Sequence, residues 1–423
     1  MKVLVIGSGG REHALAWKLK QSPGVDRIFC APGNAGTAQM AENVAISAND
    51  LTGLLGFAKQ NDVGLTVVGP DDPLSAGIVD TFEAAKLRIF GPTKSAARLE
   101  SSKIFAKELM RAEKIPTAEA QTFSDARDAL AYCEEIEFPI VIKVDGLALG
   151  KGVIIAPDSA TARSAVEAMM NERRFGDAGR RIVIEQFLRG TECSVHALVD
   201  GQNYRLLESA RDHKRVFDGD KGPNTGGMGA FSPANNWDEK SQSQLEAKIM
   251  QPLIRALGKE SILFRGLLYP GLMITSDGPR VLEFNCRFGD PETQALLPRM
   301  KSDLVPLLEA TIDGTIARHS IEWDERASVT VVMASAGYPE KYDIGKPITG
   351  IERAAGSEDI QIFHAGTKQV NGELVTAGGR VLAVTALGPT IGEARARAYA
   401  AVHQVHFEGC HYRSDIALSA VTG

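Results

Sequence analysis

The chain has 423 residues, 44% of them hydrophobic and 24% charged, with a formal net charge of −6; this length predicts roughly three domains, and the acidic balance argues against a surface built for nucleic acid. The cysteines, Cys30, Cys133, Cys193, Cys286 and Cys410, are scattered and odd in number with no CxxC pair, which excludes a disulfide framework or a cysteine zinc site and suits a reducing cytoplasm. No apolar run approaches the ~20 residues of a membrane span, and the first helical stretch carries Arg11, Glu12, His13 and Lys18, which excludes a signal peptide.

The amino terminus reads KVLVIGSGGREHALAWKL. A buried-strand run at residues 3–6 turns through Gly7, Gly9 and Gly10 into a helix. A dinucleotide fingerprint needs a third Gly or Ala where Glu12 stands, and an acidic residue after the next strand, which instead runs into CAPGN. A nicotinamide or flavin site is therefore not expected. What survives is a helix N-terminus whose N–H groups attract an anion, commonly a phosphate. Further short strands are predicted at DRIFCAP, NVAIS, LTVVGP and LRIFGP, with helices between them. That alternation indicates a parallel sheet covered on both faces. Ligands of such a sheet lie beyond the carboxyl ends of its strands, so GSGGRE, APGN and GPDDPL are expected at one mouth.

From Ser101 the pattern changes. SSKIFAKELMRAEKI reads as a helix, and FPIVIKVDGLALGKGVIIA as two strands joined by a glycine-rich connection. DGLALGKGV is not a P-loop: three residues separate Gly146 from Gly150, and Gly152 stands where a hydroxyl residue is needed. A glycine hairpin can still cover phosphates with its backbone N–H groups, and Lys143 just before it is a suitable point charge; a plain hairpin turn with a snorkelling lysine is the alternative. A helix follows near 159–170, then strands at RIVIEQFL and TECSVHALVDG. Glu185 and Glu192 near that strand end could meet ribose hydroxyls or lie in solvent. Residues 212–233, DHKRVFDGDKGPNTGGMGAFSP, read as a long loop, of a length that is usually functional or disordered.

After a helix near 239–258, LYPGLMIT and PRVLEFNCRF read as a strand pair. On a strand, residues i and i+2 share a face, so Glu283 and Asn285 present two hard oxygen donors together, as Mg²⁺ accepts. Arg287 continues that face if the strand persists, with Leu282, Phe284 and Cys286 toward the core. A cation beside a guanidinium suits a transferring phosphoryl group; an exposed polar strand face is the alternative. Asp290 is the expected N-cap of a helix with Pro291 in its first turn and Glu292 near its positive end. Residues 328–423 add further strands and the helix IGEARARAYAAVHQV, a third domain packed on the second.

Taken together, GSGGREHALAW, APGNAGT, IVIKVDGLALGKGV, RDHKRVFDGDKGPNTGGMGAFSP and LEFNCRFGDPETQ resemble the ATP-grasp superfamily and, more narrowly, the glycinamide ribonucleotide synthetase (phosphoribosylamine–glycine ligase) family, essentially end to end. The resemblance implies an α/β and α+β multidomain chain: an N-terminal parallel α/β domain at 1–100, an ATP-grasp domain at 101–327 with a glycine-rich lid at about 118–190, and a C-terminal α+β domain at 328–423. It implies ATP-dependent ligation of glycine to 5-phosphoribosylamine through glycyl phosphate, with ATP and Mg²⁺ or Mn²⁺, in a cytoplasmic monomer or weak homo-oligomer without nucleic-acid or membrane partners. By the same resemblance Lys103 and Lys143 contact ATP, with Gly146, Gly150, Lys151 and Gly152 in the lid. Glu185, Gln186, Phe187 and Leu188 form the adenine hinge and Glu192 holds the ribose, while Glu283 and Asn285 ligate the metal. Arg287, Asp212 and Lys214 serve the reaction, and Arg215, Asn224, Thr225, Gly226 and Gly227 line the acceptor region. Gly9, Gly10, Arg11 and Glu12, aided by Pro70 and Asp71, cradle the phosphoribosyl group. Departures from the family pattern include Ser8, Asp72, Leu149 and Ala417.

Overall fold

In the computed structural model, which describes residues 1–148, 152–356 and 359–422, residues 3–6 are completely buried because helices cover both faces of their strand. Five strands, β1 (Lys2–Gly7), β2 (Arg27–Pro32), β3 (Glu42–Asn43), β4 (Leu65–Val68) and β5 (Ile89–Phe90), form a parallel sheet in the order β3-β2-β1-β4-β5. The expected strand NVAIS contributes only its asparagine: after β3 the chain folds back, with Ile46 N–H donating to Val44 O at 2.7 Å, and leaves the ladder. LRIFGP shrinks to two residues at its carboxyl end, where Pro92 has no N–H to extend pairing.

The helix Lys103–Ala112 forms where expected, capped by Ser102 Oγ accepting from Phe105 N–H. Then come β6 (Ala120–Phe123), β7 (Ile140–Val144), β8 (Val153–Ala156) and β9 (Ile182–Gln186), an antiparallel sheet ordered β6-β9-β7-β8. The helices Ala126–Glu135 and Ser159–Val166 cover one face of it, burying Ala129, Cys133, Ala162 and Val166 against Ile140 and Ile142.

The remaining strands are β10 (Thr191–Asp200), β11 (Tyr204–Asp212), β12 (Arg215–Phe217), β13 (Lys221–Asn224), β14 (Gly229–Ser232), β15 (Arg265–Thr275), β16 (Gly278–Asn285), β17 (Ala327–Ala334), β18 (Ile360–His364), β19 (Thr367–Val370), β20 (Glu373–Thr376) and β21 (Arg380–Gly388). Eight of them make one sheet, β16-β15-β10-β11-β14-β17-β21-β18. The segment read as a long loop is therefore structured: β12 and β13 pair as a hairpin, and β14 inserts between β11 and β17. Its sequence, GAFS, hides a strand because every residue is buried and small side chains dominate. The sheet consequently crosses from residues before 327 to residues after it without interruption.

The pairing of β15 with β16 slips between Gly271 and Leu272, which leaves Leu282 as an extra, bulged residue. Val281 and Phe284 both enter the core, whereas Leu282, expected there by alternation, is only half-buried. Arg287 likewise lies beyond the strand, which ends at Asn285. One of the chain's core clusters ties the parallel sheet to the large sheet: Val3, Val5 and Leu15 pack in the same cluster as Leu198, Leu267, Leu304 and Leu308 and as Val332 and Phe363. Among the described residues no helix is long and apolar enough to cross a membrane.

Because Phe231 is fully buried on the strand that joins the two halves of the large sheet, Phe231→Ala is expected to lower the unfolding free energy by about 3–5 kcal/mol. Urea denaturation followed by circular dichroism should show the midpoint fall in a single transition. Separate early melting of residues 328–423 would contradict a cooperative sheet.

Candidate functional site

A buried ammonium joins the two antiparallel sheets. Lys143, fourth in β7 and 4% exposed, lies 3.0 Å from Glu185 Oε2 on β9 and donates to Leu282 O on β16 at 2.9 Å. Glu185 is itself 2% exposed and also holds Lys107 Nζ at 3.2 Å. Burial pulls Lys107 down to about 8, with Glu185 opposing. The Glu185 side chain is thus a counter-ion beneath the crevice; Gln186 ends the strand, and Phe187 and Leu188 follow it out. Lys103, at the start of its helix, donates to Gly146 O at 3.0 Å, and its pKa is lowered by burial. Gly152 O accepts from Val144 N–H at 3.0 Å; Leu149, Gly150 and Lys151 lie outside the described residues.

On the large sheet Glu283 pairs with Gly271 through its backbone, while its carboxylate has no hydrogen-bond or ion-pair partner among the described residues. It is nevertheless held below the usual carboxylate range: burial opposes its charge, but Lys214, Lys143, Lys103 and Arg287 surround it. Asn285 accepts from Arg287 Nη2 at 3.1 Å. Arg287 also pairs with Glu100 at 3.0 Å and lies 6.0 Å over the Tyr269 ring. Lys214 bridges to Glu192 Oε2 at 2.7 Å, and despite burial Asp212, Glu192 and Glu283 hold it well above the ordinary lysine value. Asp212 is pushed up to about 7 by burial, against the pull of Lys214 and with the help of Glu292. No group of three or more His, Cys, Asp or Glu side chains suited to a metal occurs among the described residues. The Glu283 carboxylate and the Asn285 carbonyl fit a hard cation that takes its other oxygens from phosphates and water.

The mouth of the parallel sheet adjoins this crevice. Glu12 turns back to accept from Gly9 N–H at 2.6 Å, and its other oxygen holds Arg11 Nε at 2.5 Å, while Arg11 Nη1 donates to Phe288 O at 3.0 Å. Pro70 caps the helix that begins with Asp71, and the Asp72 carboxyl is raised by burial and by Asp71. Asp290 is not an N-cap: Pro291 holds that position, and the Asp290 carboxylate pairs instead with Arg380 at 3.1 Å. Thr225 Oγ1 donates to Lys214 O at 2.8 Å, and Gly227 follows with φ +111°, a conformation glycine adopts without strain. Arg215 pairs with Asn224 across the hairpin and donates to Gly222 O at 2.6 Å. His213, buried against Phe231, is lowered to about 4 by burial.

Several residues of the site escaped sequence reasoning. Glu100 accepts from Cys286 N–H at 2.7 Å and pairs with Arg287. Tyr269 and Ser194 both donate to Glu292 Oε1 at 3.2 Å, and His196 stacks on Tyr269 at 4.3 Å. Arg380 reaches in from the last long strand. None sits in a motif with its partner; Glu292 alone lies in a stretch, RFGDPETQ, that stands out in the sequence.

A glycine hairpin strand and a metal-ready strand facing each other across a lysine-lined crevice define an ATP-grasp enzyme. Matches to known proteins narrow this. Three phosphoribosylglycinamide synthetase models match, the N domain at residues 1–100, the ATP-grasp (A) domain at 101–293 and the C domain at 328–419. The chain belongs to the phosphoribosylglycinamide synthetase family. It is 52% identical over 427 residues to the phosphoribosylamine–glycine ligase of Escherichia coli strain K12, covering 100% of this chain and 99% of that protein. The enzyme of the same name from Caldanaerobacter subterraneus is 48% identical, with 99% of both chains covered. The crystal structure of the Thermotoga maritima phosphoribosylamine–glycine ligase superposes with a TM-score of 0.85 at 35% identity, covering 99% of this chain and 100% of that one. A biotin carboxylase from Campylobacter jejuni shares the fold, with a TM-score of 0.75 at 14% identity over 97% of this chain and 92% of that one.

Burial raises the Glu100 carboxyl to about 7 from an ordinary 4.5, with Arg287 opposing the rise. The folded chain therefore keeps a proton there that the unfolded chain releases, so this contribution to stability is complete below pH 4.5 and is lost as pH rises to about 7. A loss of about 3 kcal/mol is expected across that window, read from urea unfolding at its two ends. Glu100→Gln should flatten this part of the profile.

Proposed function

We propose that this chain joins glycine to 5-phosphoribosylamine at the expense of ATP, giving glycinamide ribonucleotide, ADP and phosphate in de novo purine synthesis. The observation that carries this reading is Glu283, an ionised carboxylate without a partner among the described residues, set among Lys103, Lys143, Lys214 and Arg287. Family membership narrows the substrates; the names of the relatives supply the amine and the amino acid.

In this reading Lys103 and Lys143 hold the triphosphate under the glycine-rich lid from Gly146 to Gly152, the backbone around Gln186, Phe187 and Leu188 borders the adenine, and Glu192 reaches the ribose. Mg²⁺ or Mn²⁺ on Glu283 and Asn285 would neutralise phosphate charge. A glycine carboxylate oxygen attacks the γ-phosphorus and the bond to the β-phosphate oxygen breaks, which releases ADP and leaves glycyl phosphate. Arg287 faces the charge that builds on the transferring group. The amine of phosphoribosylamine then attacks the glycyl carbonyl carbon, phosphate leaves, and Asp212, poised near neutrality, takes the proton the new amide sheds, with Lys214 beside it. Closing the hairpin keeps the acyl phosphate from water. Residues 9–12, with Pro70 and Asp71, bind the sugar phosphate, and Arg215 and residues 224–227 border the amine. Residues 1–100, 101–327 (with the lid at about 118–190) and 328–423 are the three working parts, acting in the cytoplasm as a monomer or weak homo-oligomer.

ADP release measured with glycine and freshly generated phosphoribosylamine, each left out in turn, tests the assignment; turnover that ignores either substrate rejects it. Arg287→Ala is expected to lower kcat by about 100- to 1,000-fold. Arg287→Lys should recover little, because a single ammonium cannot reproduce a planar fork.

A further inference from the structure

Arg380 opens β21 in the C-terminal segment, yet its guanidinium reaches the acceptor side of the crevice. Nη1 donates to Gly226 O at 2.7 Å and to Asp290 O at 2.8 Å, while Nη2 pairs with the Asp290 carboxylate at 3.1 Å. The contact is close enough that a Cβ on Gly226 would fall 3.0 Å from Arg380 Cζ. Tyr338, from the same segment, accepts from Gly226 N–H at 3.0 Å. Both backbone groups of Gly226 are thus fastened from the C-terminal side.

The other end of the contact reaches the parallel sheet. Asp290 accepts from Gln294 Nε2 at 2.7 Å. A Cβ on Gly9 would lie 3.3 Å from Asp290 Oδ2, and one on Gly10 only 2.6 Å from Gln294 Nε2. The turn at the first helix therefore rests on Asp290 and Gln294, and Arg380 holds Asp290. One planar fork spans the loop at 226–227 and the support of the turn at 9–10, which a point charge could not do at once.

We propose that Arg380 is a positioning residue for phosphoribosylamine: it fixes the loop that borders the amine relative to the turn that holds the sugar phosphate, so that the C-terminal segment shapes the acceptor subsite. This rests on the assignment of residues 9–12 and 224–227 to phosphoribosylamine made above. Among the described residues the bonds of Arg380 run to Gly226, Gly227 and Asp290 and not to Lys103, Lys143 or Glu283, so the consequence of losing it falls on one substrate.

Steady-state kinetics with each substrate varied tests this. Arg380→Met is expected to raise the KM for phosphoribosylamine by about 10- to 100-fold, the scale of a misplacement near 1 Å, while the KM values for ATP and glycine stay near those of the parent. Tyr338→Phe should move the same constant in the same direction by less, and Arg380→Lys should fall between parent and Arg380→Met. If Arg380→Met does not fold, judged by circular dichroism, Arg380→Lys and Tyr338→Phe carry the comparison. Equal losses toward all three substrates, or a fall in melting temperature with unchanged KM values, would overturn the proposal. Arg11→Ala separates the two levels: if it raises the phosphoribosylamine KM and the Arg380 variants do not, only the positioning role fails. If neither does, the placing of the acceptor fails with it.

Discussion

The whole crevice hangs on how one ammonium is satisfied. Lys143 is almost completely buried, and a buried charge survives only with partners that replace its water. Its two partners come from different sheets: the Glu185 carboxylate on its own sheet and the Leu282 carbonyl on the other. The bulge at Leu282 frees that carbonyl from the ladder. The lysine therefore sets the spacing of the two walls, and the residue after the bulge, Glu283, enters the gap between them. Around Glu283 the charged groups of Lys103, Lys143, Lys214 and Arg287 hold one carboxylate below its ordinary range, a concentration of positive charge that attracts an anion.

The same reasoning explains why the opening glycine turn does not serve a dinucleotide. Glu12 folds its carboxylate back onto Gly9 N–H, so that one donor of the turn is already taken by the chain itself. The side chain also fills the space between β1 and β4, and a Cβ on Gly69 would fall 2.0 Å from its Oε1. In the dinucleotide fold a small third residue leaves that space for close helix–strand packing. Here the space is taken by a charged group that in turn orients Arg11, so one substitution in the pattern changes both the packing and the chemistry of the turn.

Much of this was legible from residue order. Elements with strong local signals, such as the 3–6 strand and the helix within SSKIFAKELMRAEKI, lie where the residue pattern placed them, and the strand pair after Phe138 does too. The i, i+2 argument for Glu283 and Asn285 needed only the last residues of a strand. What stayed hidden depends on partners distant in sequence. Glu100 acquires its role only when Cys286 and Arg287 are brought to it, and Tyr269 only when Arg287 and His196 are brought to its ring. Local patterns also mislead where tertiary packing decides: GAFS is a strand because it is walled in by β11 and β17, and Leu282 leaves the core because the register slips.

Continuity of the large sheet bears on how this family differs from others with the same fold. The biotin carboxylase likeness, at 14% identity, shows that the architecture alone does not choose the substrates; choice must reside in the side chains and loops set around a shared crevice. In this chain those loops are anchored by a sheet that does not stop at residue 327 and by a core to which β1, the helix Leu304–Asp313, β17 and β18 all contribute. Strands β17 and β21 cannot be removed without exposing an edge of β14, the strand that follows the glycine loop at 226–227. The C-terminal segment is thus tied by the backbone ladder itself to the loop at 226–227, whose position follows the register of β14 on β17.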